Sequence, residues 1–313
     1  MISRMSASEF AVDIREVGPR DGLQIEQPIA TADKFRLLDA LVATGVRRIE
    51  ATAFVSPRAI PAMADATDVA DYVRNIPGIE WSALAVNVRG VRRALAAGLR
   101  SIEYVVSATD GHSNANAGRP TAVAIADIEP IADLVQNESG CLEVVIATAW
   151  DCPFDGRVSS DRTAEIARRA QDLGAHRITL ADTIGTATPG RVLDLIHAVQ
   201  SAGVTMPLGA HFHNTRGSGL ACAWTAFQAG VKMLDASTAG LGGCPFAPGA
   251  SGNIATEELV YLLEESGVPT GISIPNALVA ASLAESLVHH EAASNLLRAE
   301  GASRPLFANH DGQ

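Results

Sequence analysis

Several things are scarce or missing in this 313-residue sequence. There are only four cysteines, Cys141, Cys152, Cys222 and Cys244; none forms a CxxC pair and their spacing suggests no disulfide framework. Reduced thiols and a cytoplasmic protein are the expectation. No run approaches the ~18 uninterrupted apolar residues of a membrane span, so no membrane association is expected. The opening MISRMSASEFAVDIREVG contains no apolar segment of signal-peptide length. A basic arm or patch is also missing. The chain has 24 Lys and Arg against 35 Asp and Glu, a formal net charge of −11, which argues against nucleic acid as a partner. An anionic substrate would have to be met by local cations. Repeats, low-complexity tracts and linkers are absent too. With 47% apolar and 19% charged residues the chain can bury a sizeable core, and residues 1–313 read as a single domain.

What is present is alternation. Strand-like runs occur at 11–17, 47–54, 81–87, 101–108, 142–150, 176–182, 206–213 and 231–238. Helical patterns lie between them. TADKFRLLDALVATG (31–45) places Phe35, Leu38, Leu41 and Val42 on one face and stops at glycine. RGVRRALAAG, SDRTAEIARRAQDLG and PGRVLDLIHAVQSAG close in the same way, and SDRTAE opens with Ser or Asp as an N-cap. Eight strand–helix units predict a parallel sheet closed into a (β/α)8 TIM barrel over about 11–253, followed by helices at about 254–267 and 275–300. The alternative, a doubly wound open sheet, normally carries GxGxxG after its first strand; here that strand runs into GPRDGLQ.

In such barrels the chemistry collects at the C-terminal ends of the strands. Strand one delivers Arg20 and Asp21, strand two carries Glu50 inside an apolar run, and strand six ends in Asp182. Strand seven ends in AHFH, where His211 and His213 share one face and Phe212 points away. GLGGCPFAPGASGN follows strand eight, with Cys244 and Asn253. Each has a plainer explanation. Asp21-Gly22 makes a turn, Glu50 pairs with an arginine, Asp182 caps a helix, a lone loop cysteine is inert, and Asn253 caps the helix after it. Their gathering at one end of at least five strands is harder to explain by packing. A carboxylate, two imidazoles and an amide oxygen (Asp21, His211, His213, Asn253) make a mixed donor set suited to an octahedral divalent ion such as Mg²⁺ or Mn²⁺, more than to Zn²⁺.

The segments EVGPRDGLQ, IEATAFVSPRAIPAMAD, DTIGTATPG, HFHNTRG and AGLGGCPFAPGASGNIATEELVYLLE strongly resemble the 3-hydroxy-3-methylglutaryl-CoA lyase family, in the same order, from about residue 12 to about 290. The resemblance implies a metal-dependent barrel that cleaves such a thioester to acetyl-CoA and acetoacetate. It places metal ligands on Asp21, His211, His213 and Asn253. It places the catalytic arginine on Arg20, the acid on Glu50, the loop cysteine on Cys244, and a residue near the substrate on Asp182. It further implies an acyl-CoA substrate, a homodimer and a role in leucine or another branched-chain catabolic route. His211 and Asp21 are the two expected proton acceptors.

Three places depart from the family pattern. The usual Asp-Thr-Tyr-Gly after the histidines is Asn214-Thr215-Arg216-Gly217, so a carboxylate is lost and a cation gained. Arg216 is expected either to bind a substrate carboxylate or CoA phosphate, or to be a solvated side chain. Gln27 stands where family members often carry lysine, and Trp150-Asp151 replace small residues. These changes leave the acyl group open. Competing readings are a lyase for another acyl-CoA, a Claisen-condensing synthase or aldolase of the same superfamily, and an inactive metal-binding homologue.

Overall fold

A computed structural model describes residues 11–243 and 252–300. All eight expected strands form, and all are parallel. They are β1 (Asp13–Glu16), β2 (Arg48–Ala53), β3 (Glu80–Ala85), β4 (Ser101–Ser107), β5 (Cys141–Ala147), β6 (Arg177–Asp182), β7 (Leu208–Phe212) and β8 (Met233–Ala236). Each pairs with the next, and β8 returns to β1 with Asp13 opposite Met233 and Glu16 opposite Ala236. The sheet is therefore a closed barrel, and the open-sheet alternative is excluded.

The four expected helices form at Thr31–Val42, Val88–Ala96, Ser160–Asp172 and Pro189–Ser201. The cap before Ser160–Asp172 is Ser159, one residue earlier than expected; its hydroxyl accepts from the Arg162 amide. Other outer helices, not singled out in the sequence, form at Ala66–Val73, Asp110–Ala117, Thr121–Ala126, Ile128–Asn137 and Gly219–Gln228. The fifth strand ends early because Thr148 adopts a left-handed φ of 55°. A two-stranded ribbon, Asp151–Cys152 with Gly156–Arg157, follows it.

After β8 the expected helix forms at Thr256–Glu265. The next does not run unbroken to residue 300: Ile274–Val288 is capped by His289 at a φ of 60°, and Asn295–Glu300 is a separate helix. Ile274–Val288 lies against Thr31–Val42 and is tied to its end, the Ser273 amide donating to the Thr44 carbonyl at 2.8 Å and the Asn276 amide to that of Ala43 at 2.7 Å.

TIM-barrel interiors are usually filled by branched apolar side chains. This one carries a layer of ion pairs. Arg15 of β1 reaches Glu103 of β4 at 2.5 Å, Glu143 of β5 at 2.9 Å and Asp235 of β8 at 2.7 Å. Arg48 of β2 reaches the other oxygen of Glu143 at 3.0 Å, and the Thr179 hydroxyl donates to Glu143 at 2.6 Å. Outside the strands the packing is conventional, with Leu37, Leu38, Val91, Ile131, Ile166, Leu195 and Leu259 fully buried beneath their helices.

Glu16, at the end of β1, joins both ends of the chain. One carboxylate oxygen accepts from the Gly18 amide at 2.7 Å and the Thr238 amide at 2.8 Å; the other accepts from the Thr256 hydroxyl at 2.6 Å. Burial pushes its pKa up to about 7 in spite of these bonds. Gly18 is glycine for a local reason: a Cβ there would lie 2.7 Å from that oxygen and 2.8 Å from a Thr238 methyl. Replacing Glu16 with leucine strips two buried amides of their acceptor, at about 1–3 kcal/mol each. Glu16→Leu should therefore lose about 2–6 kcal/mol in urea denaturation. Glu16→Gln should stay close to wild type, because its carbonyl oxygen can serve both amides while its NH₂ donates to the Thr256 hydroxyl.

Candidate active site and metal centre

The segment GPRDG is where the site begins. It forms one π-helical turn, Gly18–Gly22, opened by Pro19. The amides of Arg20, Asp21 and Gly22 all converge on the Val17 carbonyl at 2.7–3.2 Å. This wide turn sets two consecutive side chains, Arg20 and Asp21, into the barrel mouth together, where both are buried. Their side chains bond each other, and Arg20 also reaches Glu50 of β2 at 2.6 Å. The Gln24 amide adds a 2.7 Å bond to Asp21, a contact that sequence reasoning missed.

Across the mouth, β7 presents both histidines on one face, as the period of two requires. Their rings lie 5.2 Å apart, and each Nε2 is 3.9 Å from Asp21 Oδ2. Phe212 points outward and packs on Trp150 at 5.5 Å. The segment after the glycine-rich loop is zipped to the end of β7: the Asn214 amide donates to the Gly252 carbonyl, and that of Ile254 to the Phe212 carbonyl. This pairing delivers Asn253 opposite His213.

Asn253 is not the cap of the following helix, which starts at Thr256 behind Ala255. Its amide instead donates to Asp21 Oδ2 at 2.7 Å and to the Leu241 carbonyl at 3.0 Å. Gly242 makes room for it, since a Cβ at that residue would fall 2.7 Å from the Asn253 nitrogen and its φ is +107°.

The electrostatics divide along the same lines. Burial alone would raise Asp21, but Arg20, the two imidazoles and the Asn253 amide hold it down at about 2. Burial, and then the neighbouring His211, lower His213 to about 4, so it is a neutral imidazole. Glu50 goes the other way. Burial and the adjacent Glu103 raise it well above the carboxylate range in spite of Arg20, while Glu103, also buried, is held low by Arg15. The two carboxyls are close enough to titrate as a pair.

Asp21, His211 and His213 offer ligand atoms within 4.8 Å of one another, all buried. One further atom supports the fit. Asn253 Oδ1 is buried and has no hydrogen-bond partner among the described residues. Buried acceptors are rarely left so unless something else occupies them. A carboxylate, two imidazoles and an amide oxygen make a donor set that fits a divalent cation.

The other expected residues are placed as follows. Asp182, at the end of β6, accepts from the amides of Thr186 at 2.9 Å and Ala187 at 3.0 Å. It shapes its own loop and is not the cap of Pro189–Ser201, which Thr188 precedes. Arg216 donates to the carbonyls of Ile184 at 2.7 Å and Gly185 at 3.1 Å, joining the loops after β6 and β7. Asn214 accepts from the Gly219 amide, Gln27 is exposed, and Asp151 pairs with Arg191 at 2.7 Å. Cys244 lies outside the described residues. Sequence reasoning also missed Glu103 and Asp235, the latter accepting from His211 Nδ1 at 3.1 Å. Both are acids inside apolar strands, the signal that singled out Glu50.

A family model described as HMGL-like matches residues 11–283, most of the chain. The chain belongs to the HMGL-like family. It is a carbon–carbon lyase of that family, and its relatives act on more than one acyl-CoA. It is 38% identical over 298 residues to the mitochondrial hydroxymethylglutaryl-CoA lyase of Mus musculus, covering 95% of this chain and 92% of that one. It is 42% identical over 283 residues to the (R)-citramalyl-CoA lyase of Chloroflexus aurantiacus, covering 87% and 89%. Among solved structures it superposes on the hydroxymethylglutaryl-CoA lyase of Pseudomonas aeruginosa with a TM-score of 0.87 at 36% identity, covering 92% and 96%. It also superposes on an HMG-CoA lyase from Acenitobacter baumannii in complex with coenzyme A and 3-methylmalate, with a TM-score of 0.87 at 37% identity, covering 99% of both chains. Among the described residues no helix is long and apolar enough to cross a membrane.

If His213 is a ligand, His213→Ala should bind Mn²⁺ more weakly by more than the roughly 10–100-fold typical of losing an outer-shell partner. Equilibrium dialysis of EDTA-treated protein measures this, and unchanged affinity would remove His213 from the ligand set.

Proposed function

We propose that the protein is a divalent-metal-dependent lyase. In this reading it cleaves 3-hydroxy-3-methylglutaryl-CoA, or a closely related 3-hydroxy-3-methyl acyl-CoA, by a retro-Claisen reaction. The observation that carries the reading is the convergence of Asp21, His211, His213 and Asn253 beside Arg20. Asp21, His211, His213 and Asn253 would hold Mg²⁺ or Mn²⁺. When bound, the ion makes the substrate's tertiary hydroxyl more acidic and neutralises its carboxylate.

The chain's own residues supply the rest. Asp21, which has a second carboxylate oxygen beside any ion it holds, is placed to accept the hydroxyl proton, whereas an imidazole that ligates through Nε2 and carries a hydrogen on Nδ1 has no lone pair left for it. As the C2–C3 bond breaks, the electron pair moves onto the thioester oxygen of the leaving acetyl-CoA enolate. Arg20 is buried and fixed by Asp21 and Glu50, so it offers a preorganised cation for that oxygen. Glu50 orients Arg20 through their 2.6 Å ion pair. The enolate then takes a proton at carbon. The Cys244 thiol is the donor in this reading. Asp182 supports the substrate pocket by fixing the loop after β6. Arg216 bridges two mouth loops, so it would affect substrate binding through their position.

A second substrate has a specific observation in its favour. The citramalyl-CoA lyase relative, at 42%, shares more residues with this chain than the hydroxymethylglutaryl-CoA lyase of mouse does at 38%. Both acyl groups are 3-hydroxy-3-methyl acids with a terminal carboxylate, differing by one methylene. The same bond cleavage would release acetoacetate from one and pyruvate from the other.

The test is product release by EDTA-stripped protein from each thioester, with and without Mn²⁺ or Mg²⁺. Metal-dependent acetoacetate supports the first substrate and metal-dependent pyruvate the second. Neither product, from protein that binds the ion, would refute both. Cys244→Ser should keep its Mn²⁺ affinity and lose about 10²–10⁴ in turnover, the range for removing a general acid. A fully active variant would exclude the thiol as donor.

A further inference from the structure

His211 is held from behind. Its Nδ1 lies 3.1 Å from Asp235 Oδ2, on the neighbouring strand β8, and its Nε2 faces Asp21. Asp235 is itself clamped by Arg15, whose Nε donates to one oxygen at 2.9 Å and whose Nη2 donates to the other at 2.7 Å. Arg15 is fixed in turn by Glu103 and Glu143. All of these groups are buried, with Arg15 2% and Asp235 5% exposed, so water cannot substitute for any partner.

We propose that Asp235, seated by Arg15, is a positioning residue that locks His211 as its Nδ1–H tautomer, leaving the Nε2 lone pair free for the cation. The inference rests on the metal reading above. A carboxylate gripped at both oxygens by a guanidinium can only accept, so the imidazole must donate from Nδ1. A neutral imidazole carries one N–H, and a hydrogen at Nδ1 leaves Nε2 bare. The lock also fixes the ring plane, because His211 is on a strand and its partner is on the next one. Such outer-shell acceptors typically set the affinity of the ligand they hold.

The experiment compares wild type with Asp235→Asn in the full-length protein, stripped of metal. Asparagine has the same shape, but the amide can turn its NH₂ toward His211. Nδ1 then accepts, and the hydrogen moves to Nε2, against the cation. The expected result is a roughly 10–100-fold loss of Mn²⁺ affinity by dialysis or paramagnetic resonance, with the far-UV circular dichroism unchanged. Histidine ¹⁵N spectra of metal-free protein give a readout that mere loosening of the fold would not mimic. His211 should be protonated at Nδ1 in wild type and at Nε2 in Asp235→Asn. The wild-type spectrum tests the proposal even if the variant does not fold. A wild-type Nε2–H signal, or Asp235→Asn with unchanged Mn²⁺ affinity, would overturn it while leaving the metal reading intact. Failure of wild type itself to bind Mn²⁺ would overturn both.

Discussion

One guanidinium in the middle of the barrel, Arg15, organises much of what surrounds it. It is bound by carboxylates from three different strands, Glu103, Glu143 and Asp235. Taking a charge out of water costs several kcal/mol, and a buried arginine is tolerable only when its donors are matched this closely. From Asp235 the contacts lead to His211; from Glu103 they lead to Glu50, then Arg20, then Asp21. The two branches meet again at the mouth, where His211 and Asp21 face each other. The ligand cluster is the place where a ring of alternating charges is left open.

That ring explains why the mouth favours a cation. Arg15, Arg20 and Arg48 stand against Asp21, Glu50, Glu103, Glu143 and Asp235, all buried. One of the five acids, Glu50, has its pKa raised by burial and by the neighbouring Glu103. Asp21 lies at the mouth of this network, beside two imidazoles and an amide oxygen that has no hydrogen-bond partner among the described residues. In a low-dielectric interior an excess of acids over guanidiniums is costly, and a divalent ion at that point reduces it.

The architecture was legible because it depends on period and order, which sequence displays directly. Eight apolar runs separated by glycine-stopped helices allow few arrangements, and the closed barrel is one of them. The meeting of the candidate ligands was legible for the same reason: His211 and His213 share a strand face, and Asp21 and Asn253 follow strand ends. The partners were harder to see. Asp235 and Glu103 show the same acid-in-strand signal as Glu50, but what they pair with depends on strands far apart in sequence brought side by side. Asn253 was expected to cap a helix because its neighbours allow it; the backbone pairing of Asn214 with Gly252 turns it toward Asp21 instead. The five unforeseen helices are short or rich in alanine and glycine, and tertiary packing rather than local pattern defines them.

The bond between Asn253 and Asp21 spans 232 positions of sequence. Asp21 follows β1 and Asn253 follows β8, so their contact goes with the strand pairing that closes the barrel, and closing so long a loop has an entropic cost. Spans of 222 and 240 positions join Glu16 to Thr238 and Thr256. The ligand set thus cannot exist in a half-built barrel, and any cation it takes up binds only the closed form. Affinity for the ion is then also a measure of how completely the barrel has closed, and the ion's binding energy adds directly to the stability of that closed state.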